Sequence, residues 1–349
     1  MADILGIGIS HWPRLRDVIE NYPMRIKASL KDPDIPASAK DPANWPQAMR
    51  DEWGDDQGAG AAPKHRDACL AGIRTVRAAL DDFRPDAIVV WGDDQYENFR
   101  EDVVPPFCVL GYQDDVIAKP FGGAPNPWNE DENTTLRIKT APAIAKTLVT
   151  GLIQDGFDMP YSYKPLHHPH LPHAFLNAVL YLDYDRSGFP HPIVPCTVNC
   201  YGRHVISHRG TVYKFGNRTV EWDPPSPSPA RCFDLGAGIA RVMKASPWRI
   251  ALLASSSWSH AFLCDKNYHL HPDVASDRRL YGAMLEGDYR VWRETPRSAV
   301  EDSGQQELLN WFCLMGAMDE LGHRVEWSSF AETHIFNSDK VAAVFSEAR

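Results

Sequence analysis

Short apolar runs alternate along the chain with longer stretches in which apolar residues recur every three or four positions. Continuous apolar runs are typical of strands buried on both faces, and the longer spacing is typical of helices with one buried face. We therefore predict strands at residues 3–10, 87–91, 107–110, 193–200, 248–255 and 325–330. We predict helices at residues 63–84, 141–153, 174–182, 232–243 and 303–321.

Strands that alternate with helices favour the α/β class, with a mostly parallel central sheet and helices on both faces. No linker interrupts the pattern, so we predict a single domain over residues 1–349. Residues 13–62 are rich in Pro, Asp and Trp and have little periodicity, and we expect an elaborated loop insertion with short helices. We also expect a loop at residues 217–231, whereas the form of residues 335–345 is left open.

Composition and charge narrow the classes of partner. The chain has a formal net charge of −10 and no run of basic residues, which argues against nucleic acid and anionic membranes as partners. It contains no apolar stretch of membrane-spanning length and begins with a strand pattern, so we expect a cytoplasmic protein. Its 7 cysteines are odd in number and mostly lie in apolar runs, which favours reduced, buried thiols over a disulfide framework.

Acids and an amide follow the predicted strand at residues 87–91. These polar residues are Asp93, Asp94, Gln95 and Glu97. Burying acidic groups costs free energy unless a partner satisfies them, and ligands bind at the carboxyl ends of strands in open α/β sheets. The stretch is therefore a candidate binding site, although a solvated loop with aspartates at a helix start gives the same pattern.

Histidines follow two of the predicted strands, and another lies at a helix start. His11 follows the strand at residues 3–10, and His260 follows the strand at residues 248–255 after several serines. His65 lies in the first turn of a helix, where the helix dipole disfavours the cationic form and leaves a neutral imidazole suited to a metal ion. Each of these histidines has an alternative role as a hydrogen-bonded core residue.

One carboxylate is predicted to point into the core. Glu307 falls on the same helical face as Trp311, Leu314 and Met318. A buried carboxylate requires a cation or a proton. Glu307 is therefore a candidate metal ligand together with the histidines at the strand ends.

The segment 164–174 concentrates histidines and prolines. Its imidazoles belong to His167, His168, His170 and His173. Prolines at this density exclude a helix, so these side chains are expected on a loop. Four histidines within seven positions favour an active-site loop over a buried core, and a solvated loop is the alternative interpretation.

Together, the candidate residues supply two or three imidazoles and an inward carboxylate to one edge of the sheet. Two histidines and one carboxylate form the ligand set of mononuclear non-haem iron(II), which leaves positions open for O2 and substrate. Zinc hydrolases use a similar set, so the residue types alone do not identify the metal.

Six segments follow one another in the order typical of a known family, at residues 6–11, 84–94, 193–199, 231–236, 255–260 and 303–317. Through them the chain resembles, over nearly its full length, the class III extradiol dioxygenases, typified by the catalytic subunit of protocatechuate 4,5-dioxygenase. The resemblance implies that His11 is the first iron ligand, Glu307 the carboxylate ligand and His260 the catalytic acid or base. It also implies an active-site histidine on the loop at His167 or His168, of which the loop spacing favours His167.

One position departs from the pattern of this family. The family usually has Asp-His after the central strand, and Gln95 stands where that second histidine ligand would be. The single-chain 3-O-methylgallate dioxygenases, to which the chain is similar, carry Asp-Gln there and a histidine at the start of the preceding helix. His65 occupies that place and becomes the expected second ligand, with Asp94 and Gln95 as the alternatives.

The residues and the resemblance imply a non-haem Fe(II) oxygenase with one catalytic domain, in which O2 opens the ring of a small catecholic or related aromatic substrate held by one iron. Surplus ligands near the central strand allow a second iron, which would suit a monooxygenase that hydroxylates a larger apolar substrate. A metal-free binding protein on the same scaffold is the alternative from another class. The sequence leaves open the identity of the substrate and whether two copies form a homodimer.

Overall fold

The computed structural model describes residues 2–209, 214–216 and 222–347. Its strands are β1 (Ile4–Ile9), β2 (Ala87–Asp93), β3 (Phe107–Leu110), β4 (Val116–Ala118), β5 (Leu136–Ile138), β6 (Tyr161–Ser162), β7 (Ile193–Val198), β8 (Ile250–Ser255), β9 (His323–Ala331) and β10 (Lys340–Glu347). Its helices are α1 (Met24–Ser29), α2 (Ala37–Lys40), α3 (Gln47–Trp53), α4 (Ala61–Phe83), α5 (Pro142–Gln154), α6 (His173–Leu182), α7 (Pro229–Lys244), α8 (Val274–Glu286), α9 (Tyr289–Glu294), α10 (Arg297–Asp302) and α11 (Leu309–Leu321).

Within the described residues, 8 strands form one sheet in the order β6-β3-β7-β2-β8-β1-β10-β9. The central strands β7, β2, β8 and β1 run parallel to one another. On either side of them, β3 pairs antiparallel with β7, and β10 pairs antiparallel with β1. The predicted α/β class with a mostly parallel central sheet is therefore confirmed.

Side chains of the central strands alternate between two hydrophobic clusters, one on each face of the sheet. In β2, Ile88 and Val90 belong to the cluster that includes residues of α4 and α6, whereas Val89 and Trp91 belong to the cluster with α7 and α11. All 7 residues of β2 are buried. A strand covered on both faces needs no polar side, which is why it appears in the sequence as a continuous apolar run.

The predicted boundaries are close to the observed ones where the sequence contains a stop signal. Arg84 has a left-handed backbone conformation with φ 51° directly after α4, and Pro85 follows it. The loop expected at residues 217–231 is shorter than predicted. Its residues 217–221 lie outside the described residues, residues 222–228 contain no helix or strand, and α7 begins at Pro229.

The helix predicted from residue 303 begins later than expected. Gly304 has a left-handed conformation with φ 66°, and Gln306–Leu308 form a 3-10 turn before α11 begins at Leu309. Glu307 therefore lies in the turn that precedes the helix, and the prediction that it shares a helical face with Trp311 is wrong in this detail. The prediction that its side chain is buried is confirmed, since Glu307 is 2% exposed.

The two ends of the chain both contribute to the sheet and its covering. Residues 335–345, whose form the sequence left open, include most of β10, which lies between β1 and β9. Residues 13–62 contain α1 to α3, and their buried Tyr22, Ile26 and Met49 join the cluster that includes α4. The insertion thus packs on the common core. None of the described helices is both long and apolar enough to cross a membrane.

Helices α7 and α11 approach one another closely through two glycines. A Cβ atom at Gly236 would overlap the main chain of Cys313, and a Cβ atom at Gly316 would overlap the main chain of Phe233. The two backbones therefore touch without intervening side chains, which only glycine allows. This contact sets the distance between α7 and α11. It therefore also sets the position of the turn before α11 that carries Glu307.

Candidate active site

The carboxyl ends of three neighbouring parallel strands bring the main candidate residues together. Asp93 is the last residue of β2, His11 lies two residues beyond β1, and His260 lies five residues beyond β8. Because β1 and β2 both pair in parallel with β8, these ends meet at one edge of the sheet. The turn before α11 adds Glu307 to the same place.

His11 is held by β8. Its Nδ1 donates a hydrogen bond to the main-chain carbonyl oxygen of Ser255 at 2.9 Å, and this bond places the ring proton on Nδ1. Burial, and then the charges of His173 and His260, lower the pKa of His11 well below its ordinary value. The imidazole is therefore neutral, and its Nε2 presents a lone pair.

Two carboxylates face that lone pair. The Nε2 atom of His11 lies 3.5 Å from Oε2 of Glu307 and 3.7 Å from Oδ1 of Asp93. Both oxygens are buried, and neither has a hydrogen-bond partner among the described residues. A neutral imidazole that already donates through Nδ1 has no proton to give them. The three atoms therefore face each other without a hydrogen bond among the described residues.

A cation satisfies this arrangement. Nitrogen and oxygen ligands bound about 2.0–2.2 Å from one metal ion stand roughly 3–4 Å from each other, as Nε2 of His11 does from Oδ1 of Asp93 and from Oε2 of Glu307. Ligand atoms of His11, Asp93 and His173 all lie within 4.8 Å of one another, which makes this group a possible metal site. Burial raises the pKa of Asp93, and burial followed by Asp93 raises the pKa of Glu307 to about 8. A bound cation would remove the cost of ionising these groups.

The other oxygen of Glu307 is fixed by hydrogen bonds. The hydroxyl of Tyr201 donates to Oε1 of Glu307 at 2.6 Å, and Nε2 of Gln95 lies 3.2 Å from the same oxygen. The same amide nitrogen donates to Tyr201 at 2.7 Å and to Oδ2 of Asp93 at 3.0 Å. Gln95 therefore orients both carboxylates through its amide nitrogen, and leaves Oδ1 of Asp93 and Oε2 of Glu307 available.

His173 completes the cluster from the start of α6. Its Nδ1 lies 2.9 Å from Oε2 of Glu97, and its ring packs edge-on against His11 with centroids 5.1 Å apart. Burial alone would lower the pKa of His173, but Glu97, Asp93 and Glu307 raise it to about 10. His173 is therefore a cation beside the carboxylates, and a metal ion would compete with its proton.

A cavity of about 440 Å³ opens over this cluster. Its lining includes His173, Tyr201, His260 and Glu307, together with residues of the insertion such as Arg25. Nε2 of His260 lies 3.3 Å from Oε1 of Glu307, and burial lowers the pKa of His260 to about 3. The cavity is large enough for a small aromatic molecule and contains a neutral imidazole that can accept a proton.

Comparison with known proteins supports one family. Residues 204–345 match the model of the catalytic LigB subunit of aromatic ring-opening dioxygenase. The chain is 27% identical over 188 residues to a 2,3-dihydroxyphenylpropionate/2,3-dihydroxicinnamic acid 1,2-dioxygenase of Comamonas testosteroni, covering 54% of this chain and 47% of the relative. A protein of the same name from Burkholderia vietnamiensis is 24% identical over 270 residues, covering 71% of this chain and 80% of the relative.

Over these matched residues the chain is similar to the class III extradiol dioxygenases. The part matched by the family model contains His260 and Glu307, whereas His11, Asp93 and His173 lie before it. A relative of the same name, form 2, from Pseudomonas putida is 27% identical over 189 residues, which is 48% of its length. The chain therefore spans about half the length of the first relatives that it matches.

The acid that joins the cluster is Asp93, whereas the predicted candidate is Asp94. Both oxygens of Asp94 accept main-chain N–H groups, among them those of Glu97 and Asn98 at 2.9–3.2 Å. Asp94 therefore closes the turn after β2. Gln95, the other predicted candidate, presents its amide nitrogen to the carboxylates and not its oxygen.

The structure places His65 elsewhere. Its ring packs against Trp12 and Phe336, with centroids 5.6 and 5.0 Å away, and burial lowers its pKa well below the ordinary value. The prediction of a neutral, buried imidazole agrees with this position. Among the described residues, however, the group with metal-ligand spacing contains His11 and not His65.

The loop histidine next to His11 is His173, and the prediction had favoured His167 or His168. His167 is exposed and lies 2.9 Å from Asp102, and His168 accepts a hydrogen bond from the main chain of His170. Only the last histidine of segment 164–174 is carried to the sheet edge, because it begins the apolar helix α6. That adjacency to an apolar helix is the signal in the sequence that distinguishes His173.

Proposed function

We propose that the protein is an Fe(II)-dependent extradiol dioxygenase that opens the ring of a catecholic substrate with O2. The observation that carries this proposal is the set of buried acceptor atoms on His11, Asp93 and Glu307, which face one another beneath a cavity that contains the neutral His260. The dioxygenase names of the relatives support the same chemistry.

We assign the metal to His11, Asp93 and Glu307, with His173 as a further ligand once it has lost its proton. Imidazole and carboxylate ligands suit Fe(II). Bound there, iron would supply a site at which both catechol oxygens and O2 meet and exchange electrons. Within the described residues one group has metal-ligand spacing, so we propose one iron per chain.

Side chains around the proposed metal ligands would accept protons from the substrate and hold the ligands in place. Because burial lowers its pKa, His260 is neutral, and its free ring nitrogen can accept a hydrogen bond from a catechol hydroxyl and then its proton as that hydroxyl ionises. Tyr201 and Gln95 keep Glu307 in one orientation through hydrogen bonds to Oε1. While His173 remains protonated, it can stabilise negative charge on a substrate oxygen.

The surplus ligands that suggested a second iron already have other partners. Asp94 accepts main-chain amides, Glu97 bonds His173, and His167 lies beside Asp102. The hydroxylating di-iron monooxygenase is therefore not favoured. A metal-free binding protein is not favoured either, because facing acceptor atoms without a donor destabilise a protein that never binds a cation.

The test is to load the protein with Fe(II) under anaerobic conditions, add 2,3-dihydroxyphenylpropionate and isotopically labelled O2, and identify the product. Ring opening with both labelled atoms retained and one iron per chain is expected. Incorporation of a single labelled atom into an intact ring, or two irons per chain, would contradict the proposal.

A His260→Gln variant sharpens the assignment. It should keep its iron and lose most of its turnover, because the side chain acts on protons and does not hold the metal. If iron and turnover are lost together, His260 is a ligand and the proposed division of roles is wrong.

A further inference from the structure

Arg25 belongs to α1 in the insertion and lines the same cavity as His260. Its Nε atom is buried and has no hydrogen-bond partner among the described residues. Burial lowers the pKa of Arg25 to about 10, so the guanidinium is still charged at neutral pH. The side chain is only partly buried, and it places this charge at the wall of the cavity with its Nε–H unpaired.

The other arginines of this cavity differ from Arg25. Arg14 forms an ion pair with Asp17, and Arg16 donates a hydrogen bond to the main-chain oxygen of Pro120 at 3.0 Å. Their guanidinium groups have partners within the protein. Arg25 is the arginine of this cavity whose Nε has no hydrogen-bond partner among the described residues, which leaves it available to a ligand.

The position of Arg25 indicates what part of a ligand it would meet. Its Cζ atom lies 5.5 Å from the centre of the Phe262 ring, and the Phe262 ring lies 5.2 Å from the ring of His260. Phe262 thus contacts both the guanidinium and the imidazole. A substituent on an aromatic ring held beside His260 could therefore meet Arg25 within the same cavity.

We propose that Arg25 binds a carboxylate at the end of a flexible side chain of the substrate and thereby selects acidic catechols over neutral ones. The proposal rests on the proposed function for the identity of the ring. A guanidinium binds a carboxylate through two parallel hydrogen bonds, which makes arginine specific for this group and not only for negative charge. Arg25 would act as a specificity-determining residue that takes no part in the ring chemistry.

The test compares acids with their methyl esters in the absence of O2. The Kd values of 2,3-dihydroxyphenylpropionate and its methyl ester are measured by calorimetry for wild-type protein, Arg25→Gln and Arg25→Lys. Wild-type protein should bind the acid about 10- to 100-fold more tightly than the ester, as expected for hydrogen bonds to a charged group. Arg25→Gln should lose this preference and bind the ester within about twofold of wild type, and Arg25→Lys should be intermediate.

Arg14→Gln is the matched control, because it removes a charge from the same cavity wall at a residue that already has a partner. It should retain the preference for the acid. Equal weakening of acid and ester in Arg25→Gln, or an unchanged preference, would overturn the proposal. Circular dichroism establishes that each variant is folded, and Arg25→Lys keeps the test decisive should Arg25→Gln fail to fold.

A second pair of probes separates this proposal from the dioxygenase assignment. Phenylpropionate and its methyl ester lack the catechol hydroxyls, so their binding requires neither iron nor ring chemistry. An acid preference that depends on Arg25 but is accompanied by no ring opening would refute the proposed function alone. Ring opening with no acid preference for either pair would refute the role of Arg25 alone.

Discussion

Two pairs of buried carboxyl groups are linked to the segment 256–260, and their surroundings differ. In one pair, Asp277 accepts hydrogen bonds from the main-chain N–H of Ser259 at 2.9 Å and from Gln305 at 2.6 Å, and it also bonds Asp339. In the other pair, Glu307 contacts His260, and Oε2 of Glu307 and Oδ1 of Asp93 have no hydrogen-bond partner among the described residues.

In the first pair, Asp277 accepts donors from the protein, whereas Oδ2 of Asp339 has no donor among the described residues and requires a proton. Two carboxyl groups can hydrogen-bond each other only when one of them is protonated. Burial favours this protonated form, because it raises the pKa of Asp277 to about 7 and the pKa of Asp339 well above its ordinary value. The second pair has no such arrangement between Asp93 and Glu307. Burial alone therefore does not identify a functional acid, whereas burial together with an unsatisfied oxygen directed at a neutral imidazole does.

The largest expected effect is the loss of iron in His11→Ala. Removal of Nε2 leaves the carboxylates without the neutral ligand, so iron content should fall below about a tenth of wild type and turnover by about a thousandfold or more. Iron per chain is measured after anaerobic loading. His65→Ala is the matched control, because His65 is equally buried but packs against Trp12 and Phe336. It should keep its iron, and a loss there would restore His65 as a ligand.

The next largest effect is on the stability of Asp277→Ala. The substitution leaves the N–H of Ser259 and the amide of Gln305 without an acceptor in a buried site, so we expect a loss of about 3 kcal/mol in the free energy of unfolding. Denaturant titration measures it. Asp277→Asn keeps one accepting oxygen and should lose less. Iron content should stay at the wild-type level in both, and a drop would mean that the two pairs are not independent.

A smaller effect concerns pH. The pKa of Glu307 is raised from 4.5 to about 8 in the folded metal-free protein, so the folded state binds more protons than the unfolded state between these values. Stability of the metal-free protein should therefore be full below about pH 4.5 and decrease as pH rises towards 8, by at most about 1.4 kcal/mol per pH unit from this group. Glu307→Gln should reduce the slope of melting temperature against pH. An unchanged slope would exclude Glu307 as its source.

The smallest expected effect is a gain in stability in Asp93→Asn. Replacing this buried carboxyl with a neutral amide removes the cost of ionising it in the metal-free protein, so the free energy of unfolding should rise by about 0.5–1 kcal/mol while iron binding is lost. The measurement is the denaturation midpoint with and without Fe(II). A loss of stability in the metal-free variant would indicate that Asp93, like Asp277, is satisfied by the protein.

The sequence predicts the sheet and part of the cluster for physical reasons. The apolar run at residues 87–91 identifies β2 because a strand buried on both faces excludes polar side chains. His11 and His260 follow predicted strands, and parallel strands bring their ends to one edge. Glu307 is predicted to be buried because its neighbours are apolar, although the left-handed Gly304 delays the helix and places the acid in a turn.

The remaining site residues depend on the path of the chain after each strand, which local patterns do not determine. Asp93 and Asp94 are adjacent and alike, and the turn geometry alone decides that Asp94 bonds main-chain amides while Asp93 faces His11. The choice among the loop histidines depends on Glu97, which holds His173 from a separate segment. His65 satisfies the local criterion for a metal ligand but packs against Trp12 and Phe336.

The close packing of α7 on α11, where Gly236 lies against Cys313 and Gly316 against Phe233, ties the metal cluster to an interior position that no ligand would touch. Leu309, where α11 begins, is two residues after Glu307, so a wider separation of α7 and α11 would carry the carboxylate with it. A single inherited change from glycine to alanine at Gly236 or Gly316 would therefore alter the spacing of the metal ligands without changing any ligand. Lineages that diverge in activity could do so through a methyl group in the apolar interior while every residue facing the cavity stays the same.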